Sequence, residues 1–219
     1  MAVTELARLR LQDGTEASSP SLHANLAKAK DVMEKASGFE FWYYHCLEEP
    51  NIIFILGSWP SVDFHMHQFI PGPQNQELLA LLQDQITVEW MFHLDIDQRI
   101  QSLPLKHDVL SIDRYIVQAG KKERFQATFE NNKHALESHV GEQGRLIWGW
   151  RLDKGYDPSI GGEKPKEQFV LLSGWDSIEQ HLEFANTEVF QKYSQIRSHM
   201  EEEPDIKHAR LMRVEELRR

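Results

Sequence analysis

The chain has 219 residues, a formal net charge of −10 and a single cysteine, Cys46. An acidic chain lacks the basic footprint that nucleic acid and anionic membrane surfaces require, so neither is expected as a partner. One cysteine excludes a disulfide framework within the chain and a cysteine-ligated zinc site. The length suits two units of about 100 residues each.

The beginning of the chain, MAVTELARLRLQ, carries charges throughout and has no apolar segment of the signal-peptide type. No apolar run in the sequence reaches membrane-spanning length. We therefore expect a cytoplasmic protein that has no membrane partner.

Residues 1–100 predict a strand, a helix, two strands, a second helix and a last strand. Apolar and polar residues alternate from Glu5 to Leu11, which indicates a half-buried first strand. The first helix is expected to begin beside Pro20 and to end at Gly38, since glycine adopts the left-handed conformation that follows many helices. Its apolar positions are Leu22, Leu26, Ala29 and Met33. The later strands are expected at Phe39–Leu47, Ile52–Ser58 and Thr87–Asp95.

Residues 107–219 predict the same order of elements. A strand rich in Val, Ile and Tyr is expected over Val109–Gln118, followed by a helix that ends at Gly141. The apolar spacing of the first helix recurs at Phe125, Phe129, Asn132 and Leu136. The remaining strands are expected at Arg145–Leu152, Gln168–Ser173 and His208–Val214, and an insertion is expected at Asp153–Glu167.

The two halves also share a motif. The segments from Phe54 to His65 and from Val170 to His181 carry Trp, Ser, an aliphatic residue, an acid and His in one register. The order β-α-β-β-α-β is that of a ferredoxin-like unit, so residues 1–100 and 107–219 are interpreted as two repeats. Each unit leaves one apolar sheet face uncovered, and packing these faces together predicts an α+β fold of the dimeric-barrel type.

The Trp-x-Ser part of the motif has a structural interpretation. Ser61 and Ser177 follow a strand and precede a helical pattern, where an N-cap is expected. Gln180 lies three residues after Ser177 and completes a capping box. We therefore interpret the serines as caps and not as nucleophiles.

The Trp and His of the motif leave alternatives open. Trp59 and Trp175 are either packing anchors at the strand-to-helix corner or walls of a ligand cavity. His65 and His181, in the second helical turn, are either core-edge residues or acid/base groups that face a cavity. His65 and His67 form H-x-H, but on a helix these side chains diverge, so no metal site is predicted.

Three further residues are candidates because of their strand faces. His45 shares a face with Phe41 and Tyr43, so it becomes a candidate base if that face lines a cavity. His93 shares a face with Met91 and is a candidate on the same ground. Tyr115, if it points inward, would hydrogen-bond a ligand oxygen.

The halves differ after the histidine. Pro71-Gly72-Pro73 must break the second helix of the first half, and a new helix is expected near Asn75. In the second half the helix is expected to continue through Phe190. This difference suggests that the halves are specialised.

Trp-x-Ser, the histidine and the segment Asn186–Tyr193 resemble the antibiotic biosynthesis monooxygenase (ABM) superfamily of dimeric α+β barrels. With the opening MAVTELARLRL, the two-repeat length is similar to that of the fused, tandem proteins of that group common in fungi. The resemblance implies the fold over nearly the whole chain. It implies an activity only weakly, since one fold serves many functions.

Members of the superfamily include oxygenases that need no cofactor and act on electron-rich aromatic polyketides. The resemblance thus implies an enzyme acting on an aromatic or polyketide-type secondary metabolite, as a cofactor-independent monooxygenase or as a cyclase or lyase. Haem-degrading members use an Asn on the first strand, and the first strands here contain none. The expected catalytic residues are His65, His181 and His45; the expected substrate-binding residues are Trp59, Trp175, Tyr115 and His93.

Two other functions remain open at this stage. One is a non-catalytic ligand-binding or stress-related barrel, and the other is haem binding through a histidine. No metal or organic cofactor is expected for the enzyme. The expected partner is a small-molecule ligand, and the chain is expected to be a monomeric pseudo-dimer or a homodimer.

Overall fold

A computed structural model describes residues 1–140, 146–153 and 166–214. The predicted helix end at Gly141 and most of the predicted insertion lie outside these residues. No helix in the described part of the chain is both long and apolar enough to cross a membrane.

The N-terminal half contains four strands and two α-helices. The order is β1 (Val3–Leu11), α1 (Pro20–Ser37), β2 (Phe41–Cys46), β3 (Ile52–Trp59), a π-helical segment (Phe64–Phe69), α2 (Pro73–Leu82) and β4 (Ile86–Leu94). Helix α1 begins with proline in its first turn and ends at Gly38, which has a φ of 77°. Both ends agree with the sequence prediction.

The C-terminal half repeats this order. It contains β5 (Val109–Val117), α3 (Lys122–Val140), β6 (Leu146–Trp150), β7 (Glu167–Trp175), α4 (Ile178–Phe184), α5 (Phe190–Tyr193), a 3₁₀ segment (Ser194–His199) and β8 (Asp205–Met212). The Ser177 hydroxyl accepts a hydrogen bond from the backbone nitrogen of Gln180, so the predicted cap is confirmed.

The eight strands of the described residues form one antiparallel sheet in the order β4-β1-β3-β2-β8-β5-β7-β6. Strand β8 lies between β2 and β5 and thereby joins the two halves. The sheet closes where β4 meets β6, because Leu94 bridges Arg151 and the Leu152 nitrogen donates to the His93 carbonyl at 2.8 Å. The α+β barrel fold predicted from the sequence is confirmed.

The two faces of the sheet form separate cores. The inner face is packed by strand residues of both halves and by Ile96 and Leu103 of the connecting segment, without a helix residue in this cluster. The outer face of each half packs against the helices of that half. The inner cluster includes Leu6, Tyr44, Phe54, Leu56, Phe92, Leu110, Ile112, Ile147, Leu172 and Ala209.

The helices after the Trp-x-Ser motifs differ in an unexpected way. In the N-terminal half, the π-helical segment ends at Phe69 and α2 begins at Pro73, so the predicted break is confirmed. The prediction of a continuous helix through Phe190 is wrong. Helix α4 ends at Phe184, where the Thr187 hydroxyl donates to the Phe184 carbonyl at 2.7 Å and turns the chain before α5.

Candidate functional site

The N-terminal half holds a cavity of about 670 Å³ between the outer face of its sheet and helices α1 and α2. The cavity reaches solvent between α2 and β4, where the lining residues Leu79 and Val88 are exposed. Most of its wall is apolar and includes Ala7, Leu9, Leu26, Ala29, Met33, Ile55, Phe69, Leu78, Leu82 and Met91. The cavity lies on the outer face of the sheet, whereas the inner face is packed by side chains of both halves.

Polar groups lie at the buried end of the cavity. Glu5, Tyr43 and His65 line it and are almost fully buried. His65 Nε2 is 3.9 Å from Glu5 Oε2. The indole nitrogen of Trp59 donates to the same carboxyl oxygen at 2.6 Å. Such a mostly apolar pocket with a few convergent polar groups is typical of small-molecule sites.

Behind His65 lies a chain of hydrogen bonds that ends on a carboxylate. His65 Nδ1 is 2.7 Å from His93 Nε2, and His93 Nδ1 is 2.9 Å from Asp153 Oδ2. The backbone nitrogen of His93 donates to Asp153 Oδ1 at 3.0 Å. The ring of Trp59 stacks on His65, with centroids 4.0 Å apart and planes inclined by 11°. Stacking on Trp59 and the hydrogen bond of Nδ1 with His93 therefore fix the orientation of the His65 imidazole.

The helix that carries His65 has an unusual geometry. The backbone nitrogen of Ile70 donates to the His65 carbonyl at 2.9 Å, which is a π-type hydrogen bond. Single π-helical turns are frequent at functional sites. The π-helical segment ends at Phe69, and Phe69, Ile70 and Asn75, which flank the sequence break at Pro71-Gly72-Pro73, line the cavity.

Burial controls the ionisation of these groups. It lowers the pKa of His65 to about 3, with a further decrease from His93, so this imidazole is neutral at neutral pH. Burial raises the pKa of Glu5, against the lowering effect of the Trp59 hydrogen bond. Burial would also raise the pKa of Asp153, but its hydrogen bonds with His93 bring it below its usual range. These effects favour the ionised form of Asp153 and the protonated form of Glu5.

The C-terminal half contains an equivalent chain of hydrogen bonds. Trp175 stacks on His181 at 4.3 Å, and His181 Nδ1 is 2.8 Å from His208 Nε2. His208 Nδ1 in turn hydrogen-bonds Glu48. In each hydrogen-bond chain, the two histidines lie in one half of the polypeptide and the acid lies in the other half, since Asp153 follows β6 and Glu48 follows β2.

The described residues of the C-terminal half enclose a much smaller space beside their histidine than the N-terminal cavity. The corresponding space in the C-terminal half measures about 50 Å³ and is bordered by His181, Asp113, Tyr115 and Tyr193. The Tyr115 hydroxyl lies 3.3 Å from Asp113 Oδ2 and 3.1 Å from the Tyr193 hydroxyl. Burial raises the pKa of Asp113 to about 6, against a hydrogen bond from Ser111. These side chains fill the space that is open in the N-terminal half.

Strand register explains the difference in volume. Val3 pairs with Trp59 in the N-terminal half, and Val109 pairs with Trp175 in the C-terminal half. Along the two strands, this register aligns Ala7 with Asp113 and Leu9 with Tyr115, and it aligns Glu5 with Ser111. Ala7 and Leu9 on β1 thus leave space that Asp113 and Tyr115 occupy at the aligned positions of β5.

The structure brings three of the predicted site residues of the N-terminal half together. His65 lines the cavity. His93 contacts His65 on the side away from the cavity and does not itself line the cavity. Trp59 is fully buried against His65. In the C-terminal half, Trp175 occupies the position of Trp59, while His181 and Tyr115 border the small space.

His45 lies away from both spaces. Its Nε2 is 2.8 Å from the Pro50 carbonyl, and the residue borders a surface hollow beside Arg210. It does share the outer sheet face with Tyr43, as the alternation predicts, but it lies near the end of the strand. Its predicted role as a cavity base has no support from this position.

Sequence reasoning missed Glu5 and both carboxylates that end the histidine chains. Glu5 has a sequence signal, because it is an acid on the same strand face as Ala7 and Leu9. Asp153 and Glu48 have no such signal. Each acts on a histidine of the other half, so its role depends on how the barrel closes.

The lining residues do not fit a haem group. Haem carries two propionates, which call for cationic partners, and no Lys or Arg is present among the described residues that line the cavity. The cavity-facing nitrogen of His65 already has the Glu5 carboxyl 3.9 Å away. A neutral ligand suits this lining better than a dianionic one.

Solved structures of known proteins share the fold. A protein provisionally named a chlorite dismutase matches 99% of this chain and 96% of its own length, with 14% identity and a TM-score of 0.67. An anthrone oxidase-like protein matches 96% of this chain and 91% of its own, with 11% identity and a TM-score of 0.63. A Fusobacterium nucleatum protein provisionally named a monooxygenase matches 97% and 93%, with 9% identity and a TM-score of 0.61.

At these identities the similarity establishes the α+β barrel fold and nothing finer. A comparison with protein-family models finds no match, and a comparison with curated proteins finds none either.

Proposed function

We propose that the protein is a small-molecule oxygenase that works without a metal or organic cofactor on a neutral, electron-rich aromatic compound of polyketide type. The observation that carries the proposal is the cavity of about 670 Å³ with His65 and Glu5 at its buried end. The fold shared with an anthrone oxidase-like protein supports it as an analogy. The catalytic residues are His65 and Glu5.

The first step is removal of a proton from an acidic C–H or O–H group of the substrate. His65 Nε2 faces the cavity and accepts this proton. Because burial lowers the pKa of His65 to about 3, a positive charge on this imidazole is unfavourable. The proton on Nδ1 then passes to His93 Nε2, 2.7 Å away.

Glu5 stabilises the anion that forms. A carboxyl group that keeps its proton donates a hydrogen bond to the developing enolate oxygen, as an oxyanion-stabilising donor does. Burial raises the pKa of Glu5, which favours the protonated form that this role needs. The indole nitrogen of Trp59 fixes the orientation of the carboxyl.

The carbanion then reacts with O₂, which is the second substrate. For a ring CH₂ group, one oxygen atom becomes the new carbonyl oxygen. The other leaves as water with the two hydrogens of the CH₂ group, so the CH₂ is oxidised and O₂ is reduced. The apolar wall of the cavity suits both the ring and O₂.

A panel of anthrones and quinols tests the proposal by O₂ uptake and product mass. Turnover under air that stops under nitrogen supports the oxygenase. Turnover that continues under nitrogen would instead indicate a cyclase or lyase. Tight binding without turnover of any panel member would favour the non-catalytic ligand-binding alternative.

Replacements of Glu5 separate its two possible chemical roles. Glu5→Gln keeps an N–H donor at the same place, so turnover is expected to stay within about tenfold of the unmodified protein. Glu5→Ala removes the donor and is expected to cost about a hundredfold or more in kcat. A Glu5→Gln variant as slow as Glu5→Ala would show that Glu5 is a base and would overturn the donor role.

The organisation of the chain is part of the proposal. We interpret residues 1–100 and 107–219 as two repeats, of which the first holds the ligand and the second completes the barrel. Such a chain is a pseudo-dimer by itself. Sedimentation at several concentrations tests whether it remains monomeric.

A further inference from the structure

We propose that Asp153 is a positioning residue that fixes the tautomer of His65 from the opposite half of the barrel. The inference rests on the proposed function in one respect, namely that His65 acts as the base. Asp153 does not line the cavity, and its hydrogen bonds reach His65 through His93.

When both imidazoles are neutral, the hydrogen-bond chain has one consistent arrangement of protons. The Asp153 carboxylate only accepts, so His93 Nδ1 carries the proton between them at 2.9 Å. Neutral His93 then has an unprotonated Nε2, which accepts from His65 Nδ1 at 2.7 Å. Neutral His65 is left with an unprotonated Nε2 that faces Glu5 and the cavity. The carboxylate thereby turns the cavity-facing nitrogen into an acceptor, which is what a base requires.

Replacing Asp153 with asparagine should invert this arrangement without changing its shape. Oδ1 accepts from the His93 backbone nitrogen at 3.0 Å and from Arg151 Nε at 3.4 Å. Two donors at this position favour the amide oxygen there, which places the NH₂ group against His93 Nδ1. His93 then carries its proton on Nε2 and donates to His65 Nδ1. His65 becomes protonated on Nε2 and presents a donor to the cavity.

The equivalent hydrogen-bond chain in the C-terminal half, His181–His208–Glu48, supplies a matched control. Glu48 accepts from the backbone nitrogen and from Nδ1 of His208, as Asp153 does from His93. Glu48→Gln is therefore expected to invert the tautomer of His181 in the same way. The space beside His181 is only about 50 Å³, so this inversion should leave turnover unchanged.

The test compares Asp153→Asn and Glu48→Gln with the unmodified full-length protein by nitrogen NMR of ¹⁵N-labelled histidines, assigned through loss of signals in His65→Gln. The Nε2 resonance of His65 should be pyridine-like in the unmodified protein and in Glu48→Gln, and pyrrole-like in Asp153→Asn. A pyrrole-like resonance in the unmodified protein, or none of this change in Asp153→Asn, would overturn the proposal.

Kinetics supply a second readout. Asp153→Asn should lower kcat by about a hundredfold while KM stays within about twofold, since the base is disabled and the cavity is intact. An equal loss in Glu48→Gln would contradict the assignment. The NMR experiment needs no substrate, so its result stands even if the proposed oxygenation fails.

Discussion

His65→Gln is expected to lower kcat by about 10²- to 10⁴-fold, the range that a positioned general base contributes. Glutamine can still hydrogen-bond His93, so the buried chain behind the site keeps a partner. KM should change little, because the apolar wall that holds the ligand is unaltered. Steady-state oxygen uptake with the best panel substrate measures the effect.

His181→Gln is the matched control for this variant. His181 has the same stacking on tryptophan and the same contact with a second histidine. Because the space that it borders is too small for an aromatic ligand, His181→Gln should retain full turnover. Equal activity losses in the two variants would mean that the histidines serve stability, and unfolding curves would then show parallel losses.

Closing the cavity should abolish ligand binding. Ala7 is buried on β1 and lines the cavity, so Ala7→Phe places a ring in the space that the ligand needs. We expect affinity for an aromatic ligand to fall by about a hundredfold or more, which corresponds to about 3 kcal/mol of binding free energy. Thermal stability should be kept, because the new side chain fills a cavity. Titration calorimetry with a non-reactive anthraquinone measures the change.

Two further variants complete this test: one is a control, and the other fills the cavity from a second position. Ala127→Phe adds the same side chain at an exposed position of α3 and should leave binding unchanged. Leu9→Tyr reproduces in the N-terminal half the residue that Tyr115 supplies in the C-terminal half. It should also weaken binding, and it serves if Ala7→Phe does not fold. Unaltered affinity in both cavity variants would mean that the ligand binds elsewhere.

Local signals were sufficient to predict the fold. The apolar spacing from Leu22 to Met33 identified α1, and Gly38 marked its end. The Pro71-Gly72-Pro73 break was also visible, because proline excludes helical hydrogen bonding whatever its surroundings. The break after Phe184 was not visible, because it depends on a threonine side-chain hydrogen bond in a sequence that also suits a helix.

The candidate site was predictable only in part. His65 was found because it recurs with the Trp-x-Ser motif, and His93 because it shares a strand face with Met91. The partnership between them depends on the pairing of β4 with β1, and the contact with Asp153 forms only where β4 reaches β6. The position of the cavity follows from side-chain size at aligned strand positions, such as Ala7 against Asp113, which requires the strand register.

The most direct test of the account is a crystal structure of the protein with bound anthraquinone. The account predicts the ring system between β1 and α1, with a carbonyl oxygen within hydrogen-bond distance of Glu5 and a ring edge against His65. A ring system bound in the C-terminal half, inside the barrel or on the surface would contradict the account.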